Sequence, residues 1–232
     1  MSPSPSTGWP TQDEILAAWI ERETITAEQA QALADWERPR AFWLADNWDT
    51  RFVADIQASL EGAQRAGLTF ANWLPEAQRL LEAYGSTATV YRGGQQWPTW
   101  YADLVFRNAV QSGLAGGRYA DMFSPQGIQE APFVMYRALR DGRTRPEHAA
   151  LDGRVFRKTD AAARYYFPPV GHNCRCFLRE LDLDQMQDGG YQLTDGALIQ
   201  SLPIEGGVVG RPGAGWDRDQ IDALVPAGLR RP

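Results

Sequence analysis

The spacing of apolar residues changes once along this chain, and that change constrains the fold more than any other feature. From Phe52 to about Tyr119, apolar side chains recur at three- and four-residue intervals, the repeat of a helix with one buried face. After Pro125 the repeat gives way to short apolar runs broken by Gly, Pro and Asp. A chain built this way cannot be an all-β sandwich or a continuous bundle. It is expected to be α+β: a mostly helical N-terminal and central part, then a small β-rich C-terminal module, with extended arms at both ends.

Local signals place the elements. Residues 1–10 are Pro- and Ser-rich and read as a flexible arm. Thr11, with Glu14 at capping-box spacing, opens a helix carrying Ile15, Leu16, Trp19 and Ile20. A second helix starts at Thr26 and runs through Ala30, Leu33 and Trp36 to the break at Pro39, so residues 11–45 read as a helical hairpin. Phe52, Val53, Ile56, Leu60 and Ala63 predict a helix that ends at Gly67. Thr69 caps the next, whose face is Phe70, Trp73, Leu74, Ala77, Leu80, Leu81 and Tyr84, with Gly85 as the stop. A longer helix follows Pro98, with Trp97, Trp100, Tyr101, Leu104 and Val105 as its apolar face.

In the second part, Phe133–Leu139, Gly153–Phe156 and Cys174–Leu181 read as strands, with a turn at Asp141-Gly142. Beyond Asp182 the composition drifts to Gly, Pro and Asp, and residues 183–232 read as an extended arm. Of nine tryptophans, those on the helical stripes are assigned to the core. Trp9, Trp43, Trp48 and Trp216 lie near loops or termini, where tryptophan often anchors a neighbouring protein.

Composition removes several function classes. No apolar run approaches the roughly 18 residues that span a bilayer, and the N-terminus has neither a basic start nor an apolar stretch like that of a secretory signal. No membrane partner is expected. The net charge of −6 argues against wholesale coating of nucleic acid. The charge is unevenly spread, however: Arg137–Arg179 holds ten basic and four acidic residues. Arg137, Arg140, Arg143, Arg145, Arg154, Arg157 and Lys158 are therefore candidates for phosphate contacts, whose binding would weaken steeply with salt. Against a dedicated DNA reader stands the lack of a recognition helix.

Both histidines and both cysteines fall between His148 and Cys176. In an extended segment, residues i and i+2 project to the same side, so Cys174 and Cys176 can reach one soft cation together. Thiolate and imidazole are the usual zinc ligands. His148, Cys174 and Cys176 supply three, and His172 or Asp141 could supply a fourth; a structural Zn2+ would tie together a module with little core. Two alternatives stand beside this one. The thiols could be reduced and buried, with His148 hydrogen-bonded between loops, or they could form a strained Cys-x-Cys disulfide. A Cys–His nucleophile or an Asp141/Asp152/His148 magnesium site has no further support in the sequence, and Asp152 before Gly153 makes a turn more simply. No catalytic residue is expected.

The string Asp141–Gly153, with Phe167-Pro168-Pro169 and Cys174-Arg175-Cys176, resembles the signature of the Mu F-like phage head morphogenesis proteins. Phe52–Gly67 is similar to that family's helix pair, and Asn108–Tyr119 to its central helix, so the resemblance covers about residues 48–182. The family domain is accordingly placed at 46–182, with the β module from about 132.

The resemblance implies a four-ligand zinc site in which His148 takes the second position of a Cys-x-x-Cys, Arg145 stands at the first, and Gly171 falls where relatives carry histidine. Without metal, Arg143 and Asp141 would be structural partners. It further implies a low-copy, non-catalytic minor head protein of a tailed bacteriophage. Such a protein acts in procapsid assembly at or near the portal and resides in the virion. Its partners would be the portal or major capsid protein, and double-stranded DNA under the alternative of a zinc-stabilised DNA-binding protein. With a short segment after the motif, no added enzymatic domain is expected.

Overall fold

A computed structural model of the chain describes residues 14, 17, 22–33, 41–42, 44, 49–85, 97–195, 202–203 and 209–212. The chain divides into two compact units, which part in the sequence between Leu114 and Ala115. The α+β expectation holds: long helices come first and a three-stranded antiparallel sheet follows.

The first unit contains a short strand β1 (Glu23–Thr24), helix α1 (Ala27–Ala32) and strand β2 (Ala41–Phe42), which pairs in parallel with β1. Thr26 caps α1 with a complete capping box to Gln29. The helix ends earlier than the apolar spacing predicts. Leu33 is already extended, with ψ of 148°, and Trp36 and Pro39 lie outside the described residues, as do Ile15, Leu16, Trp19 and Ile20.

Helices α2 (Thr50–Arg65) and α3 (Phe70–Tyr84) form the body of this unit. Asp49 caps α2 through the amides of Arg51 and Phe52, a cap not expected from the sequence. Gly67, at φ of +63°, reverses the chain, and Thr69 caps α3 through the Asn72 amide. Phe52, Val53, Ile56 and Leu60 bury against Trp73, Ala77 and Leu80. The Trp73 ring lies 5.2 Å from that of Phe106, and its indole N–H donates to Ser59 Oγ at 3.1 Å. Buried Gln57 is satisfied at both ends of its amide, by the Thr24 hydroxyl and by the Arg22 carbonyl.

The long helix α4 (Thr99–Met122) starts at Pro98, whose carbonyl accepts the Tyr101 amide. Its N-terminal half turns Tyr101, Ala102, Phe106 and Ala109 into the first unit's core. Trp100 is 56% exposed, so its assignment to the core is corrected. The helix faces inward along Tyr101 and Phe106, and a residue one step back points about 100° away.

The second unit is built on the far half of α4 and on strands β3 (Phe133–Arg137), β4 (Val155–Arg157) and β5 (Phe177–Leu181), in the order β4-β3-β5. Central β3 alternates between two apolar layers. Phe133 and Met135 meet Val155 and Leu181, while Val134 and Tyr136 join Phe156, Leu178, Tyr119 and Phe123. Helix α5 (Pro125–Glu130), capped by Ser124, was not expected. Helix α6 (Pro146–Ala149) lies between β3 and β4, and α7 (Ala161–Tyr165) between β4 and β5.

Directly after β5, Asp182 caps α8 (Leu183–Asp188) with a full capping box. The expected arm thus begins with a helix, and Leu193 then bridges to Val155. A short antiparallel pair, β6 (Leu202–Pro203) and β7 (Val209–Gly210), is also described, and Tyr166 Oη reaches the Gly210 carbonyl at 3.4 Å. Among the described residues no helix is long and apolar enough to cross a membrane.

Candidate metal centre

Two loops of the β module converge. The first leaves β3, turns at Asp141-Gly142 (Gly142 φ +75°) and enters α6, where Pro146 occupies the first turn and His148 points inward, buried. The second leaves α7, passes Phe167-Pro168-Pro169 and turns at Gly171–Cys174. There the Cys174 amide donates to the Gly171 carbonyl at 3.1 Å and Asn173 takes φ of +55°. Asparagine is one of the few residues that tolerate this conformation. Strand β5 begins only at Phe177, so Cys174 and Cys176 sit in the loop before it and not in a strand. Their side chains still project together.

His148 Nδ1 lies 3.8 Å from Cys174 Sγ and 3.9 Å from Cys176 Sγ. All three donor atoms fall within 4.8 Å of one another. In a tetrahedral zinc site, sulfur and nitrogen ligands about 2.3 and 2.0 Å from the metal stand roughly 3.5–3.8 Å apart. The three residues therefore fit such an ion with small adjustments. Both cysteines are free thiols, so the disulfide alternative is not what the structure shows.

The other two candidate ligands are elsewhere. His172 is exposed, and its carbonyl accepts Arg145 Nη2 at 2.9 Å. Asp141 receives both guanidinium nitrogens of Arg175, one at 2.8 Å, together with the Arg143 amide and guanidinium. Arg175 first, and Arg143 with it, hold the Asp141 carboxyl well below the usual carboxylate range. A carboxylate so clamped is a brace between the two loops. Arg145 makes a second brace across the same pair.

The Cys176 thiol, the His148 ring and the backbone amides of Val170 and Cys176 outweigh burial and pull the Cys174 thiol downward, while Cys176 is pushed up by its neighbour. Tyr136, on β3, was not singled out from the sequence, because a tyrosine inside an apolar strand looks like core. It is fully buried, its ionisation is pushed up first by burial and then by the two sulfurs, and its hydroxyl has no hydrogen-bond partner at ordinary distance. His148 Nε2 is also buried without a partner.

The proposed phosphate contacts fare unevenly. Lys158 is corrected: its ammonium is 0% exposed, donates to the Gly127 carbonyl at 2.8 Å and pairs with Glu180, so no phosphate can reach it. Arg137 and Arg140 both donate to Asp152, at 3.1 and 2.7 Å. Arg143 is held by Asp141, and Arg157 lies over the Phe133 ring at 5.4 Å. Arg154 is half-buried. Arg137, Arg140 and Arg143 thus each share a carboxylate while their side chains stay 42%, 72% and 79% exposed.

A small antiparallel sheet, stitched by arginine–carboxylate clamps and closed over a histidine–dithiol cluster, defines a structural module centred on cysteine and histidine. The sequence profile of the family described as Phage Mu protein F like protein matches residues 54–179, more than half of the chain, and the chain belongs to that family. It is 32% identical over 185 residues to a protein of Escherichia phage Mu named capsid assembly protein F, a match covering 75% of this chain and 40% of that protein. It is 33% identical over 108 residues to the Mu-like prophage FluMu F protein of Haemophilus influenzae, covering 46% of this chain and 25% of the relative. The chain thus spans less than half the length of either relative. No solved structure is a significant match.

Proposed function

We propose that this protein is a minor head protein of a tailed bacteriophage that acts without catalysis in assembly of the procapsid, at or near the portal. The observation that carries the reading is the family match, which runs through the second helical pair and the whole Cys/His module. The name of the phage Mu relative supports capsid assembly. A non-catalytic role is supported by the burial of His148 and Cys174. Under this reading residues 46–182 are the assembly domain, residues 11–45 and 183–232 attach it to portal or major capsid protein, and the finished protein resides in the phage head. Trp9, Trp43, Trp48 and Trp216, offered above as anchors, lie outside the described residues.

The same reading assigns a structural Zn2+ to His148, Cys174 and Cys176. When bound, it would supply a cross-link between the α6 loop and the loop before β5, in place of hydrophobic area. The DNA-binding alternative loses Lys158, which is buried, and the carboxylates beside Arg137, Arg140 and Arg143 offset part of their charge.

Inactivation of the gene in a phage that carries it, followed by electron microscopy of lysates, tests the assembly role. The expected result is loss of DNA-filled heads, restored by the wild-type gene; normal heads and titre would refute it. Metal content by mass spectrometry, wild type beside the Cys174→Ser/Cys176→Ser variant, tests the ion separately.

A further inference from the structure

The exposed apolar side chains of the β module fall into two groups of opposite charge. Among the described residues eight large apolar side chains are exposed, and five belong to this module: Leu139, Phe177, Leu183, Tyr191 and Leu193. Single exposed apolar residues need no explanation, but grouped ones rimmed by charge mark contact surfaces. The first group lies at one end of the sheet. The register sets Phe177 across from Arg137, and the loop that carries Leu139 leaves β3 at that end. Beside it Arg137 and Arg140 share Asp152, and Arg143 and Arg175 share Asp141, so four arginines meet two carboxylates and the excess is positive. Arg140 and Arg143 are the most exposed of the four. The second group starts at the other end, where Leu181 pairs with Phe133 and α8 begins with Leu183. The Tyr191 amide donates to the Met186 carbonyl at 3.2 Å, and the Thr194 amide to the Val155 carbonyl at 2.8 Å, which fastens this segment to the sheet. Asp182–Asp195 holds four aspartates and no lysine or arginine. Asp182 caps the helix, whereas Asp184, Asp188 and Asp195 are exposed. Phe177 and Leu183 flank β5, a strand about 13 Å long, so within one chain the basic loop and the start of α8 do not meet.

We propose that these surfaces meet between copies of the chain: the acidic, apolar α8 segment of one seats on the basic, apolar loop surface of the next. Each surface supplies what the other lacks, aspartates against arginines, and both carry apolar side chains to bury between them. The contact joins unlike patches, so it propagates head to tail and either closes into a ring or runs on as a filament. Apolar burial is insensitive to screening, while the opposed charges fix the orientation and weaken with salt. The contact needs no metal and stands independently of the assembly role proposed above.

Sedimentation velocity of the full chain over a concentration series, at about 0.02 M and about 0.5 M salt, reads the association. Species larger than a monomer are expected at low salt, with the dissociation constant raised at least about tenfold at high salt. Two charge-reversed chains, Arg140→Glu/Arg143→Glu and Asp184→Arg/Asp188→Arg, alter exposed side chains and should keep the wild-type circular dichroism. Each alone should be monomeric where wild type associates, because its two surfaces then carry the same sign. Mixed one to one, they should associate again, since each contact in the mixture pairs opposite charges. The salt series on wild type decides the matter even where a variant fails to fold. A wild type that stays monomeric at low salt overturns the proposal and leaves the two surfaces to partners of other sequence. Association that survives either reversal overturns it too, as does a mixture of the two variants that remains monomeric.

Discussion

Asp152 is where the loop after β3 is pinned, and replacing it with alanine should measure that pin. Its carboxylate, only 6% exposed, accepts from the Ala138 amide at 2.9 Å and from the Nε atoms of Arg137 and Arg140. Asp152→Ala strands the partly buried Ala138 N–H, at about 1–3 kcal/mol. The two arginines add less, because their side chains are 42% and 72% exposed and regain water; each is discounted to under about 1 kcal/mol. The expected total is about 2–3 kcal/mol, or a fall in melting temperature of roughly 5–10 °C.

The pH dependence has a definite sign. Burial pushes the Asp152 pKa up, but the Ala138 amide and the two arginines outweigh it, so the net shift is downward. Its stabilisation is therefore complete above the unfolded value of about 3.9 and is lost as pH falls through the lower folded value. Urea unfolding of both proteins between pH 7 and pH 2 checks this. The gap should be constant above about pH 5 and narrow below about pH 4. A gap under about 0.5 kcal/mol at neutral pH, the size of an ordinary surface substitution, would refute the reasoning. So would a gap that stays unchanged into acid.

Other substitutions probe other elements. Trp73→Ala removes the buried ring between α2, α3 and α4, and should cost about 3–5 kcal/mol in chemical denaturation. Lys158→Met leaves the Gly127 carbonyl unpaired and should cost about 1–3 kcal/mol by the same assay. It should leave the salt dependence of any DNA binding unchanged, whereas a phosphate-contacting lysine would reduce the slope by about one. Gly153→Ala meets no atom within 4 Å but sits at φ of +83°, so its cost of about 1–2 kcal/mol should be backbone strain alone.

The helices were legible because each carries its own start, stop and face. Thr26, Thr69 and Gly85 act as the caps their chemistry predicts, and the α2 and α3 stripes are the buried faces. Trp100 was misread because an aromatic beside the stripe is one helical step from facing out, and only the neighbours decide which residue takes the inward direction. Helix α5 went unseen because its apolar content is low; Ser124 capping the Gly127 amide and the close approach of Gly127 to the Asp121 carbonyl define it.

The grouping of His148, Cys174 and Cys176 could be anticipated because spacing and residue type are local properties with a narrow range of chemical meanings. The surroundings of Asp141, His172 and Tyr136 could not, since they depend on what the fold places across from each. The Asp141 carboxylate is occupied by Arg175, 34 residues away; His172 is exposed; and the alternation of β3 places Tyr136 in the apolar layer that also holds Cys174. Lys158 makes the same point. In sequence it belongs to a basic run, yet pairing of β4 with β3 buries its ammonium against Glu180 and Gly127. Residue type and period along one segment therefore set the elements and the donor atoms. Pairing across long sequence separations decides which charges are free, because a charge is answered by whatever the fold places beside it.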